Sequence, residues 1–216
     1  MNARNLITLV VLFLPAFAFG DDSTESSQAQ LISAAQTLTT LIGFLIGLIV
    51  FINGWYKLSQ VYNEGQKNAL VGPVVYVIAG VLMMNVFLTL DVFTYTFFKV
   101  DNYCQIIKDE AVVQSCMSEA MSGLTGELKT RVEKMSSEGS AQAFLDHISV
   151  IVGSFQLIGF IYMLSGFYGL TQVANGSAQN GYGKPIITIL ASALIVDIPH
   201  TAQMAIATLA KIGLNF

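Results

Sequence analysis

Charged side chains are scarce in this chain. Asp, Glu, Lys and Arg make up 11% of its 216 residues, where a soluble globular domain carries about 25%. Hydrophobic residues make up 54%, a balance that argues against an ordinary water-soluble domain and suits a chain embedded in lipid. Histidine occurs only as His147 and His200, and cysteine only as Cys104 and Cys116, so the usual ligands and nucleophiles are thinly represented. No Walker loop, dinucleotide fingerprint, HExxH or GxSxG pattern occurs. The expectation is therefore a protein that is not an enzyme and takes no cofactor or metal. With a formal net charge of −4 and no basic stripe, direct nucleic-acid binding is not expected.

Long apolar runs are what the chain has instead. The opening "MNARNLITLVVLFLPAFAFGDDS" carries one early positive charge at Arg4, an apolar run from Leu6 to Leu14, and small residues before an acidic stretch. It reads as a secretory signal peptide over residues 1–20, with cleavage after Ala18 or Gly20. The competing reading is an uncleaved first transmembrane helix. Residues 21–34 follow as a polar, flexible lead-in. Four later segments, at roughly 35–58, 70–98, 147–172 and 184–212, are long enough to cross a bilayer as helices. The fold class is an all-α membrane protein whose four transmembrane helices form two hairpins, 35–99 and 147–216, around a small external helical cap at 100–146.

The two hairpins repeat each other. Shifting the chain by 112 residues aligns Leu45 to Lys99 with Leu157 to Lys211 without a gap, and 17 of those 55 positions are identical; chance gives about four or five in so biased a composition. The identities gather at the bends: Gly54, Tyr56, Gln60, Asn63 and Pro73 recur as Gly166, Tyr168, Gln172, Asn175 and Pro185. Each proline sits where a second helix begins and its missing N–H costs nothing. Asn63 and Asn175 are candidates to cap a helix end or take a left-handed conformation. The bends read either as purely structural turns or as a docking surface. Because each copy contains two spans, both enter the membrane the same way, as parallel tandem repeats.

With the amino terminus outside, both bends face the cytoplasm. Lys57, Lys67 and Lys184 against Glu64 give the bends a net +2, three positive charges less one negative, in the sense of the positive-inside rule. The cap has eight acidic residues against four basic, a net −4. Cys104 and Cys116 lie in it, and in an oxidising compartment they are expected to pair as a disulfide; a metal pair and two unpaired thiols are the alternatives. Beyond the cysteines, "SEAMSGLTGELKTRVEKM" has helical character, and "MSSEGSAQA" reads as a loop or helix break.

Polar residues inside the spans are costly in hydrocarbon and so are functional candidates. Asn85 and Asp197 occupy the same repeat position, twelve residues past the bend proline, about 18 Å into the helix. His200 follows Asp197 by three residues and shares its helix face, and Pro199 between them is expected to kink the helix. Three readings stay open for Asn85, Asp197 and His200: hydrogen bonds that fix assembly register, the wall of a water-filled conduit, and an Asp197–His200 proton relay. Trp55, Tyr56, Tyr62, Phe167 and Tyr168 fit an aromatic belt at headgroup depth. Gly43 with Gly47, and Gly159 with Gly166, are expected to let helices approach closely.

The bends "GWYKLSQVYNEGQKNALVGP" and "GFYGLTQVANGSAQNGYGKP", each joining two spans whose outer ends lie outside the cytoplasm, give a pattern that resembles conjugative pilin subunits of type IV secretion systems, present here twice. In its size and glycine content the chain is similar to the IcmC/DotE, IcmD/DotP and DotV group of the Dot/Icm type IVB apparatus and the related IncI conjugation proteins. The resemblance covers both hairpins, about half the chain. It implies a non-enzymatic inner-membrane subunit that packs with like or related subunits, as a homo-oligomer or hetero-oligomer among membrane lipids, around a translocation path. Both termini and the cap would lie in the periplasm. The extra cap favours a subunit kept in the inner membrane over one exported into a filament. The alternative function is a small transporter or ion channel that uses Asp197 and His200.

Overall fold

The computed structural model describes residues 25–64, 70–99, 138–177 and 181–213. The segment read as a signal peptide at 1–20, most of the segment read as a cap, and both Cys104 and Cys116 lie outside the described residues. Among those described, every regular element is a helix: α1 Glu25–Asn63, α2 Val71–Met84, α3 Val86–Phe98, α4 Glu138–Ala174, α5 Gly183–Val196 and α6 Ile198–Lys211.

The long helices α1 and α4 contain stretches, Ala34–Asn63 and Val150–Ala174, long and apolar enough to cross a membrane. Both begin earlier than the hydropathy suggests. α1 starts at Glu25, so most of the expected flexible lead-in is helical; its Gln, Ala and Leu residues are good helix formers with no Gly or Pro to stop them. α4 starts at Glu138, so the helix runs through most of the segment read as a break, and Gly139 alone does not interrupt it. α4 ends in a Schellman motif: Gly176 takes φ +68°, its N–H donates to Val173 O at 2.9 Å, and Ser177 N–H donates to Gln172 O at 3.1 Å. Gly176, and not Asn175, carries the left-handed turn.

The second span of each hairpin is not straight. α2 and α3 meet at 95°, and so do α5 and α6; the segments read as spans at 70–98 and 184–212 are therefore bent pairs, the second beside Pro199, where a kink is expected, the first at Asn85, where none is. Each half is 13 or 14 residues, about 21 Å at most, too short to cross about 30 Å of hydrocarbon alone.

α1 and α4 lie side by side and run in the same direction. Successive contacts advance along both: Gln36 with Gly153 and Gln156, then Lys57 with Asn175, with Gly43 against Leu164 between them. α2 returns antiparallel to α1, and α5 returns antiparallel to α4. These crossings use glycine where backbones nearly touch. A Cβ on Gly47 would fall 2.8 Å from Met84 N and 2.9 Å from Gly80 O, so only glycine fits there. The core between the hairpins contains Met83, Val86, Phe160, Met163, Phe167 and Val196, with Phe87 set edge-on to Phe160 at 5.7 Å. Phe167 is 1% exposed, so it belongs to this core and not to an aromatic belt. Trp55, Tyr56, Tyr62 and Tyr168 are exposed.

Candidate functional site

The two helix breaks are built alike. Asn85 has φ −120°, ψ 56° and Asp197 has φ −111°, ψ 57°. Each N–H closes the preceding helix, onto Val81 O and Ala193 O at 3.2 Å, and each carbonyl starts the next, accepting from Thr89 N at 2.9 Å and Thr201 N at 3.0 Å. A break leaves the last carbonyls of the first helix without helical donors. A threonine hydroxyl reaches back seven residues to meet one of them: Thr89 Oγ1 lies 3.3 Å from Leu82 O, and Thr201 Oγ1 lies 2.9 Å from Leu194 O. Thr89 Oγ1 is also 2.8 Å from Asn85 O. A hydroxyl has one proton to give, so the reach-back bond is the firmer one in the second hairpin. Pro199 does follow the second break, as expected, but Phe87 holds its position in the first, where the bend is also 95°. A bend of this angle therefore does not require proline at this position.

What surrounds the breaks differs. Asn85 is exposed. Asp197 is 1% exposed, and both of its carboxyl oxygens lie 2.8 Å from His200 Nδ1. The carboxylate accepts there from an Nδ1–H imidazole tautomer, and Thr94 of α3 donates to Oδ2 at 3.5 Å. One residue earlier, Gln156 Nε2 of α4 donates to Val196 O at 3.1 Å, which gives a carbonyl released by the break a partner. Gln36 Nε2 of α1 then lies 3.4 Å from Gln156 Oε1 and 3.2 Å from Gly153 O. Its own Oε1 is buried with no hydrogen-bond partner among the described residues. A string of polar groups thus crosses the apolar interior from α1 through α4 to the break between α5 and α6, and on to α3.

Chemically this string can hold a proton between a carboxylate and an imidazole and can lock five helices in one register. No group of three or more His, Cys, Asp or Glu fit to hold a metal occurs among the described residues. Of the intramembrane polar residues singled out in the sequence, the structure brings Asp197 and His200 together and leaves Asn85 apart. Gln36, Gln156 and Thr94 escaped attention, although two glutamines within long apolar runs are themselves a signal.

At the bends, Asn175 is the residue that joins the hairpins. Its Oδ1 accepts from Lys57 Nζ and its Nδ2 donates to Tyr76 OH, while Lys57 Nζ sits 4.1 Å from the centre of the Tyr76 ring. Its repeat counterpart Asn63 is exposed, as are Tyr56, Gln60, Tyr168 and Gln172. Pro73 and Pro185 are buried in the first turns of α2 and α5. Gly54 and Gly166 lie within the helix crossings, where an added Cβ would fall 2.8 Å from Val77 N and 2.6 Å from Ile189 Cγ1. No protein-family model matches this chain, and neither the curated proteins nor the solved structures show a significant match to it.

Proposed function

We propose that the chain is a non-enzymatic membrane subunit that packs with like or related subunits to form or scaffold a translocation path, as in a type IV secretion or conjugation apparatus. The observation that carries this reading is the outer face of α1. Only 22% of its most apolar 18-residue stretch is buried within the chain, and Leu38, Leu41, Leu45, Ile49 and Ile52 are all exposed. Such a surface is stable only against lipid or another subunit. The parallel run of α1 and α4 and the 112-residue spacing of α2 and α5 support a duplicated hairpin with both copies inserted the same way. On this reading the bends face the cytoplasm of a bacterium, and both ends and the cap face the periplasm. The secretion assignment rests on the resemblance of the bends.

Mass measurement of the full chain, extracted in mild detergent, tests the packing. An assembly of several protomers, or a stable complex with other membrane proteins, is expected; a lone protomer at all concentrations contradicts it. A second reading, a proton-coupled transporter or channel, is favoured by the buried Asp197–His200 pair at a helix break. Asp197→Asn separates the two: a transporter loses proton-coupled flux in vesicles with its assembly intact, whereas a scaffold changes in assembly or not at all.

A further inference from the structure

Near the bends a groove of about 360 Å³ opens between the parallel helices α1 and α4, within the range of small-molecule sites, about 300–1,000 Å³. Its floor includes the buried side chains of Val50 and Tyr76. Polarity changes along its length. On the α1 side the lining passes from Ile46 and Ile49, both exposed, to Asn53, while α4 contributes Tyr168, Thr171, Gln172 and Asn175, a wall that carries polar groups along its length. Lys57, one turn beyond Asn53, donates to Asn175 and covers the Tyr76 ring. An ammonium has three donors, and Asn175 takes one of them. No acidic side chain lines the groove.

A groove with an apolar wall of Ile46, Ile49 and Val50 that turns to amides, with a single cation, Lys57, beyond that end, matches the amphipathic pattern of a phospholipid. We propose that this groove binds one anionic phospholipid, with the phosphate at Lys57 and Asn175 and an acyl chain along Ile46 and Ile49. The proposal rests on the reading that the chain is embedded with its bends at headgroup depth. There the aromatic residues Trp55, Tyr56 and Tyr168 are also exposed, as interfacial aromatics are.

The test uses the full chain in vesicles of equal parts phosphatidylglycerol and phosphatidylcholine, extracted in mild detergent and weighed by native mass spectrometry. Phosphatidylglycerol should be retained in preference, about one per protomer. Lys57→Gln should lower that retention by about fivefold, while Lys184→Gln, at the other bend and outside the groove, leaves it unchanged. Ile49→Trp, at an exposed position, should displace the lipid with Lys57 still present. Equal retention of phosphatidylcholine, equal loss in the two lysine variants, or no retained lipid would overturn the proposal. Efficient disulfide formation between two Ile49→Cys protomers would assign the groove to a second copy instead. Alkaline carbonate extraction separates the levels: release of the chain from the vesicles sinks the membrane reading itself, whereas an embedded chain without bound lipid sinks only the groove.

Discussion

The two hairpins share a skeleton and differ in what fills it. Gly47 meets Gly80 and Met84 as Gly159 meets Ser192 and Val196, the same pairs displaced by 112 residues, and both returning helices break at the corresponding position. In the first hairpin the approach is backbone to backbone and the break residue, Asn85, is exposed. In the second, Val196 and Ser192 take up space at the crossing, and Asp197 is turned into the interior against His200. The bend therefore does not depend on the acid, and the acid is an addition to a device that works without it. That difference places the buried acid, its imidazole and Thr94 at the second break only.

The comparison can be broken at several points. The largest effect is expected at the first crossing. A methyl on Gly47 meets main-chain atoms that cannot yield, whereas one on Gly159 meets the Val196 side chain at 2.6 Å and main chain only at 3.1 Å. Gly47→Ala should cost about 3 kcal/mol and Gly159→Ala about 1 kcal/mol, read as thermal unfolding in detergent; equal costs would mean that the crossings are equivalent. Next comes the break itself. Asp197→Ala strips His200 and Thr94 of a buried acceptor and should cost about 2 kcal/mol, whereas Asn85→Ala should stay within about 0.5 kcal/mol.

Smaller differences sharpen the picture. Thr201→Val should destabilise by about 1 kcal/mol and Thr89→Val by about half that, because the first hydroxyl divides its proton between two carbonyls. The smallest change belongs to Pro199→Ala. The α5–α6 angle, followed by electron-spin distances between labels on the two helices, should remain that of the parent; a straightened helix would show that proline makes the second bend.

Much of this frame was legible in residues. Pro73 and Pro185 marked the starts of the returning helices, and the repeated glycines marked the crossings. The breaks were not legible, since "MMNVFLTL" around Asn85 contains no proline or glycine and reads as continuous helix. At that break a threonine reaches back seven residues to a carbonyl the bend releases, and helical periodicity does not reveal such a contact. Pro199 drew attention to the second break, where the helix does bend, but gave no hint of the equal bend in the first hairpin. Phe167 was misplaced because an aromatic near a membrane edge looks the same in sequence whether it faces lipid or a neighbouring helix. Gln36 and Gln156 lie 120 residues apart, and only the parallel packing of α1 and α4 makes them neighbours. The link between Lys57, Tyr76 and Asn175 was hidden for the same reason, because it joins one copy's bend to the other's, whereas repeat analysis compares the copies separately.

The proposal stands or falls on the sidedness of the two bends. Glu64 and Ser177 are exposed, one at each bend, and each can be replaced singly by cysteine in a chain whose Cys104 and Cys116 have been changed to serine. Labelling intact cells and inverted vesicles with a membrane-impermeant maleimide should modify both positions from the cytoplasmic face alone. Modification of one from the cytoplasm and the other from the opposite face would contradict parallel hairpins and remove the basis for the assembly drawn from them.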